Sequence, residues 1–352
     1  HPWPAALALF ILPLAVSPAF LDHSASGLEN PLTHLLFAAF GWALFRAGPK
    51  RFWFWLSLCC ALSMVNRLDT ALVYFPAVAW LAVTRLRTLR FGQCLLGALP
   101  IIVWALFSLF YYGFLLPNTA YAKLGAGIHE SLYIAQGLHY LVNLVTTQPA
   151  PAVFLAAAAI GVPLYRCFRK GKDAVRTEFA FLALGVLLYS AYIIAVGGSH
   201  VCGRFWSLPI FASAWILYGI AGDRMPRLPC SVLATLLLLI RLAWPDVATM
   251  KYLCHACFAG HIAPFGDRIT LRDQIGHGQD LPAVHRDAQP IVKVGRVVGI
   301  SGYTAGPAAH IVESFALSDP LLGRLPALHR NIRRIGHLYR ALPGGYREAL
   351  AT

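Results

Sequence analysis

Arg67, Lys123 and Arg204 are the only Lys or Arg residues in four polar connections of this chain, 21–30, 67–69, 117–148 and 198–206. A guanidinium offers a two-pronged donor that matches phosphate oxygens, and an ammonium offers a mobile point charge. Three such cations on one face would hold a phosphate and stabilise the charge it gains on leaving. Glu29 and Asp69 lie in or beside the same connections, and a carboxylate there can take the proton from an attacking hydroxyl. Plainer roles exist for each. Glu29 precedes an apolar run, where a carboxylate suits a helix start; Arg67 and Asp69 can neutralise each other across a tight turn; Lys123 can be a solvated loop cation.

Asn118 and His200 complete the set. Pro117-Asn118 turns the chain out of an aromatic stretch, Tyr111-Tyr112-Gly113-Phe114. His200 lies in Gly197-Gly198-Ser199-His200-Val201-Cys202-Gly203-Arg204, where glycines permit close backbone approach. The expected site therefore has Glu29 and Asp69 as catalytic carboxylates, with Arg67, Asn118, Lys123, His200 and Arg204 as substrate contacts. Transfer of a sugar from a lipid-linked phosphate to a hydroxyl needs such a set.

The elements that must position these residues are membrane helices. The 352 residues are 58% hydrophobic and 12% charged, far from the soluble average of roughly 45–50% and about 25%. Apolar runs at 3–20, 31–46, 52–66, 70–84, 93–116, 149–166, 179–197, 207–222 and 229–244 approach the roughly 20 residues that span a bilayer. Residues 132–148 read as an outer segment lying on the bilayer, because a crossing there would put basic loops on both sides. Thirteen of the sixteen Lys and Arg between Arg46 and Arg227 fall in or beside alternate connections. These predict cytoplasmic loops and place the candidate residues on the opposite face. The net charge of +14 is thus mostly a topology signal, and nucleic acid is not the partner it indicates.

The expected architecture is an all-α membrane bundle of about nine helices over 1–244, followed by a small mixed α/β extracytoplasmic domain over 245–352. Trp244-Pro245 marks the junction. Within the second part, Ile291–Ile300 reads as a strand pair or a bulged strand. Residues 327–341 read as a basic helix, with Arg330, Arg333, Arg334 and Arg340 off its apolar face and suited either to lipid headgroups or to solvent. Cys254 and Cys257, spaced C-x-x-C, suit a local disulfide or a metal.

Several motifs run in a common order: Ser26-Gly27-Leu28-Glu29, Asn66-Arg67-Leu68-Asp69, Leu115 through Lys123, Gly197-Gly198 through Gly203-Arg204-Phe205, Ser318-Asp319-Pro320, and Arg334-Ile335-Gly336-His337. At these stretches the chain resembles the polyprenyl-phosphate-dependent membrane glycosyltransferases of the C-type fold, chiefly the branch of terminal β-arabinofuranosyltransferases of cell-wall assembly. The resemblance implies a bacterial inner-membrane enzyme with its active site outside and a periplasmic C-terminal domain that helps bind a glycan or glycoconjugate acceptor. It also implies a donor such as decaprenyl-phospho-arabinose. Two departures stand out: the family's catalytic Asp in its first outer loop is expected upstream of His1, in a segment this sequence lacks, and its Gly-Gly-Asp pattern here reads Gly197-Gly198-Ser199. No cofactor is demanded by the residues, and a divalent metal stays an open alternative. A lipid-linked sugar transporter would use the same cations without a catalytic base, but transporters place polar groups at midplane and these lie at one face; a noncatalytic membrane scaffold whose basic tail binds partners is a third reading.

Overall fold

The computed structural model describes residues 3–169, 175–199, 201, 203–224, 291–295, 298–328 and 337–351. The helices in chain order are α1 (Trp3–Ala15), α2 (Pro18–Ser24), α3 (Asn30–Arg46), α4 (Phe52–Asn66), α5 (Ala71–Thr84), α6 (Phe91–Tyr112), α7 (Asn118–Leu124) and α8 (Glu130–Thr147). There follow α9 (Pro149–Ala156), a π-helical segment Ala157–Gly161, α10 (Val162–Phe168), α11 (Thr177–Ala195) and α12 (Ser207–Arg224). Short 3₁₀ turns, Leu68–Thr70 and Leu86–Thr88, flank α5.

Helices occupy the first eight expected runs, and the ninth, 229–244, lies outside the described residues. Among the described residues three helices, Phe91–Tyr112, Pro149–Phe168 and Thr177–Ala195, are both long and apolar enough to cross a bilayer. Nine crossings are therefore more than the described helices establish. The run 3–20 is two helices, because Ser17 and Pro18 restart the chain: Ser17 Oγ accepts from the Phe20 amide at 3.3 Å and donates to Gln148 Oε1 at 3.0 Å. α6 has only Gly97 and Ser108 buried along 22 residues, while Phe110 is 93% exposed. Such a surface cannot face water; this is a membrane protein.

Close helix contacts rest on small residues. A Cβ on Gly185 of α11 would sit 1.9 Å from the Val73 carbonyl oxygen of α5, and one on Gly137 of α8 would sit 2.0 Å from that of Ile194. Backbone thus meets backbone at both crossings. α8 buries Tyr133, Gln136, Gly137, Tyr140, Asn143 and Leu144, one stripe at helical spacing. Its opposite face carries Leu132, Ile134, Leu138, Val142 and Val145, all exposed.

The basic connections meet at one end of the bundle. Arg90 Nη1 and Gln93 Nε2 donate to the Lys50 carbonyl at 3.3 and 2.6 Å, and Arg85 and Arg176 flank Glu178. Glu29, Arg67 and Arg204 meet in a separate cluster, drawn from the alternate connections.

In the C-terminal part, β1 (Ile291–Gly295) pairs in parallel with β2 (Ala309–Glu313), joined by α13 (Gly299–Ala305); α14 (Tyr346–Leu350) closes the chain. Where a strand pair or a bulged strand is expected over 291–300, the strand is Ile291–Gly295 and its partner lies beyond a helix that starts at Gly299, as parallel pairing requires a crossover. The expected basic helix also fails at its end: residues 337–340 are not helical, and Arg340 bridges Ala327 in antiparallel fashion. Arg340 is buried with its two Nη groups donating to backbone carbonyls, Leu338 at 2.8 Å and Ala122 at 2.7 Å. Arg330, Arg333, Arg334, Cys254 and Cys257 lie outside the described residues. Val292, Val312, Ala316 and Leu322 form a small core that also takes in Ala122 of α7, so the C-terminal part packs on the segment carrying Lys123.

Candidate functional site

The site begins where α3 starts and α4 ends. The Glu29 carbonyl accepts the Thr33 amide at 3.0 Å and Asn66 Nδ2 at 3.3 Å, and Asn66 Nδ2 also reaches Thr33 Oγ1 at 2.8 Å. This clips the two helix ends together. Arg67 follows in extended backbone, and the 3₁₀ turn then brings Asp69 back beneath it. Thr70 Oγ1 fixes the turn by donating to the Arg67 carbonyl at 2.7 Å.

Arg67 is almost fully engaged. Its Nε and Nη2 donate to Asp69 Oδ1 and Oδ2 at 3.0 and 2.6 Å, and its Nη1 to Glu29 Oε1 at 3.0 Å. Its guanidinium also lies 4.6 Å from the centre of the Phe205 ring. Tyr189 OH donates to Asp69 Oδ2 at 3.3 Å from α11. Arg204 Nη2 reaches both oxygens of Glu29, while its buried Nε has no partner among the described residues.

The loop that brings Arg204 is anchored by Tyr140 of α8. Tyr140 OH donates to the Val201 carbonyl at 3.2 Å and accepts the Phe205 amide at 3.3 Å. Gly198 has φ +70°, and a Cβ there would meet the Tyr140 ring at 2.5 Å. Asn30 Nδ2 donates to the Arg204 carbonyl at 3.1 Å, tying the loop to α3.

Lys123 approaches from α7, whose end is held by Tyr133 OH donating to the Lys123 carbonyl at 2.6 Å. Its ammonium has no ion pair or hydrogen bond among the described residues, in contrast with both arginines. Burial and the charges of Arg204 and Arg67 push its pKa below the ordinary lysine value, and Asp69 and Glu29 do not restore it. For Glu29, burial acts upward, but its own backbone amide, Arg204 and Arg67 together hold the carboxyl below the usual range. Three cations against two carboxylates leave one net positive charge, carried by the group without a partner.

No family model and no solved structure matches the chain. It is 29% identical over 163 residues to the terminal β-(1→2)-arabinofuranosyltransferase of Corynebacterium glutamicum. That alignment covers 43% of this chain and 22% of the relative's length.

Of the residues singled out in the sequence, Glu29, Arg67, Asp69 and Arg204 form one bonded network, with Lys123 beside it. Asn118 is elsewhere employed: its Nδ2 faces the carbonyls of Ala316, Leu317 and Asp319 at 3.0 to 3.1 Å, and its Oδ1 accepts from Arg324. His200 lies outside the described residues. Tyr189, Phe205, Tyr140 and Asn30 are contacts that sequence reasoning missed. Asn30 and Phe205 carried a signal, the one as a polar residue opening a span and the other as the end of the Gly203-Arg204-Phe205 motif. Among the described residues no group of three His, Cys, Asp or Glu could hold a metal ion, and guanidinium groups engage both Glu29 and Asp69.

Proposed function

We propose that the chain is part of a membrane glycosyltransferase that moves a sugar, arabinofuranose or a close relative, from a polyprenyl-phosphate donor to a cell-wall glycan or glycoconjugate. The observation that carries this reading is Lys123, a half-buried cation with no partner among the described residues, beside an arginine whose Nε is likewise unsatisfied among them. A phosphate monoester or diester supplies the anion that such a place lacks. The match to an arabinofuranosyltransferase supports the sugar class.

In this proposal the donor phosphate lies between Lys123 and Arg204. The acceptor hydroxyl oxygen attacks the anomeric carbon, the bond from that carbon to the phosphate oxygen breaks, and the lipid phosphate departs with the electron pair. Lys123 and Arg204 offset the charge it gains. Phosphate binding draws Arg204 partly away from Glu29, which raises the basicity of that carboxylate and suits it to receive the hydroxyl proton. Asp69, with both oxygens on Arg67, keeps that guanidinium in place. The site faces the extracytoplasmic side of the bacterial inner membrane, and the C-terminal part, packed on α7, lies on that side to meet the acceptor.

The experiment uses full-length protein in detergent, decaprenyl-phospho-arabinose and an arabinan oligosaccharide, with the extended product read by mass spectrometry. Product that forms and disappears in Lys123→Ala and Arg204→Ala supports the reading. Turnover equal in wild type and both variants removes the cluster from the site.

A further inference from the structure

At the basic end of the bundle, away from the Lys123 cluster, a cleft of about 920 Å³ is lined by Arg85, Arg87, Arg176 and Glu178 together with the apolar ends of α3, α4 and α5. Its arginines are held differently from Arg67 and Arg204. Arg85 lies over the Phe52 ring at 5.3 Å and Arg176 over the Phe45 ring at 4.7 Å, so ring faces fix both guanidinium groups. Glu178 stands between them at 3.8 and 3.7 Å, beyond hydrogen-bond reach, and their side chains are 44% and 47% exposed. Among the described residues their N–H edges are therefore placed but unspent. Three arginines against one carboxylate give this lining two net positive charges.

A second feature is continuous with the first. An apolar groove of about 530 Å³ runs between α5 and α11, lined by Phe75, Trp80, Val83, Phe181 and Leu188 among others. Val83 belongs to both the groove and the cleft. From Phe75 to Val83 the groove follows roughly 12 Å of helix, at about 1.5 Å per residue. Its upper wall is a stacked pair, Trp80 on Phe181, with centroids 5.3 Å apart. A slot of this kind leading into a doubly positive cleft has the outline of an amphiphile with an anionic head.

We propose that this composite site binds an anionic phospholipid, with its phosphate among Arg85, Arg87 and Arg176 and one acyl chain in the groove between α5 and α11. Basic pockets between membrane helices on the side richer in Lys and Arg take such headgroups. The ligand shares phosphate chemistry with a soluble anion, but only a lipid uses the groove. The site lies in different connections from Lys123 and does not depend on the reaction proposed there.

The test is binding to full-length protein in detergent, read by native mass spectrometry with phosphatidylglycerol, phosphatidylcholine and glycerol 3-phosphate as probes. Phosphatidylglycerol should bind at least tenfold more tightly than phosphatidylcholine, and glycerol 3-phosphate at equal concentration should not displace it. Arg85→Gln should weaken binding about fivefold and the Arg85→Gln/Arg176→Gln pair about thirtyfold, following roughly 1 kcal/mol per cation. Glu178→Gln removes the competing carboxylate and should tighten binding, a gain that misfolding cannot imitate. Lys123→Ala should leave lipid binding unchanged, which separates this site from the donor site. Equal binding of the two phospholipids, effective competition by glycerol 3-phosphate, or indifference to Glu178→Gln would overturn the proposal.

Discussion

Glu29 and Arg204, 175 positions apart, are joined through both carboxylate oxygens at 3.0 and 2.9 Å. The contact ties the loop before α12 to the first turn of α3, and Glu29 simultaneously holds Arg67 at 3.0 Å. One carboxylate thus sets the positions of two guanidinium groups drawn from two connections.

Arg204→Ala should reduce kcat/KM for sugar transfer by about 10²- to 10³-fold, the usual loss when a preorganised charge donor is removed. Glu29 keeps Arg67 as a partner, so membrane abundance by immunoblot should stay near wild type. Arg204→Lys should recover only part of the activity, since an ammonium keeps the charge but lacks the planar fork of donors that matches phosphate oxygens.

For Lys123 the informative axis is pH. Its pKa in the folded protein lies below the ordinary 10.5, through burial first and then Arg204 and Arg67. The unfolded chain therefore binds more protons between the two values, and stability rises with pH across that window. Donor affinity should move the other way and fall as the ammonium loses its proton. The KM for the lipid phosphate, measured from neutral pH to 10.5, should climb in wild type and stay level in Lys123→Arg, with the acceptor KM little changed in both.

Glu29 governs the acid side. Its depressed pKa means that its contribution to stability is complete above the unfolded value of 4.5 and is lost as pH falls through the lower folded value. Thermal unfolding in detergent should show a decline below that point that is absent in Glu29→Gln, whose own stability is lower at neutral pH.

Asn118→Ala removes the donor shared among three carbonyls of the C-terminal part, at a cost of about 1–3 kcal/mol for the unsatisfied groups. Limited proteolysis should then cleave around Ala316 to Asp319 faster than in wild type, while the helical part remains intact.

Gly185→Val should be the most disruptive single change in the bundle, because even a Cβ would lie 1.9 Å from the Val73 carbonyl oxygen. Overpacking of this kind costs about 1–3 kcal/mol or more. The amount of folded protein recovered by size-exclusion chromatography should fall sharply, whereas Gly48→Ala, in open space, should be neutral.

Charge and apolar length made much of the helical architecture legible, since the cost of placing bases near hydrocarbon separates the two sets of connections. The pairing of Arg67 with Asp69 was readable because only Leu68 stands between them in a tight turn. The link from Glu29 to Arg204 was not, because nothing local reports which distant loops fold together. Tyr189 was hidden in an apolar run where its hydroxyl looks incidental, and its meaning appears only when α11 is packed against the Asp69 turn. Asn118 was legible as a polar residue needing an explanation, but its partners lie about 200 positions away in a segment whose strand pairing is itself non-local. Helix length misled at 3–20, where a run of apolar residues concealed the break at Ser17.

The seven residues of α7 carry obligations in two directions: Tyr133 grips the carbonyl of Lys123, and Arg340 grips that of Ala122 next to it. The helix that carries Lys123 is therefore tied to the C-terminal part as well as to the bundle. A substitution that moves the backbone around Arg340 is expected to disturb the carbonyl next to Lys123, through one helix of seven residues.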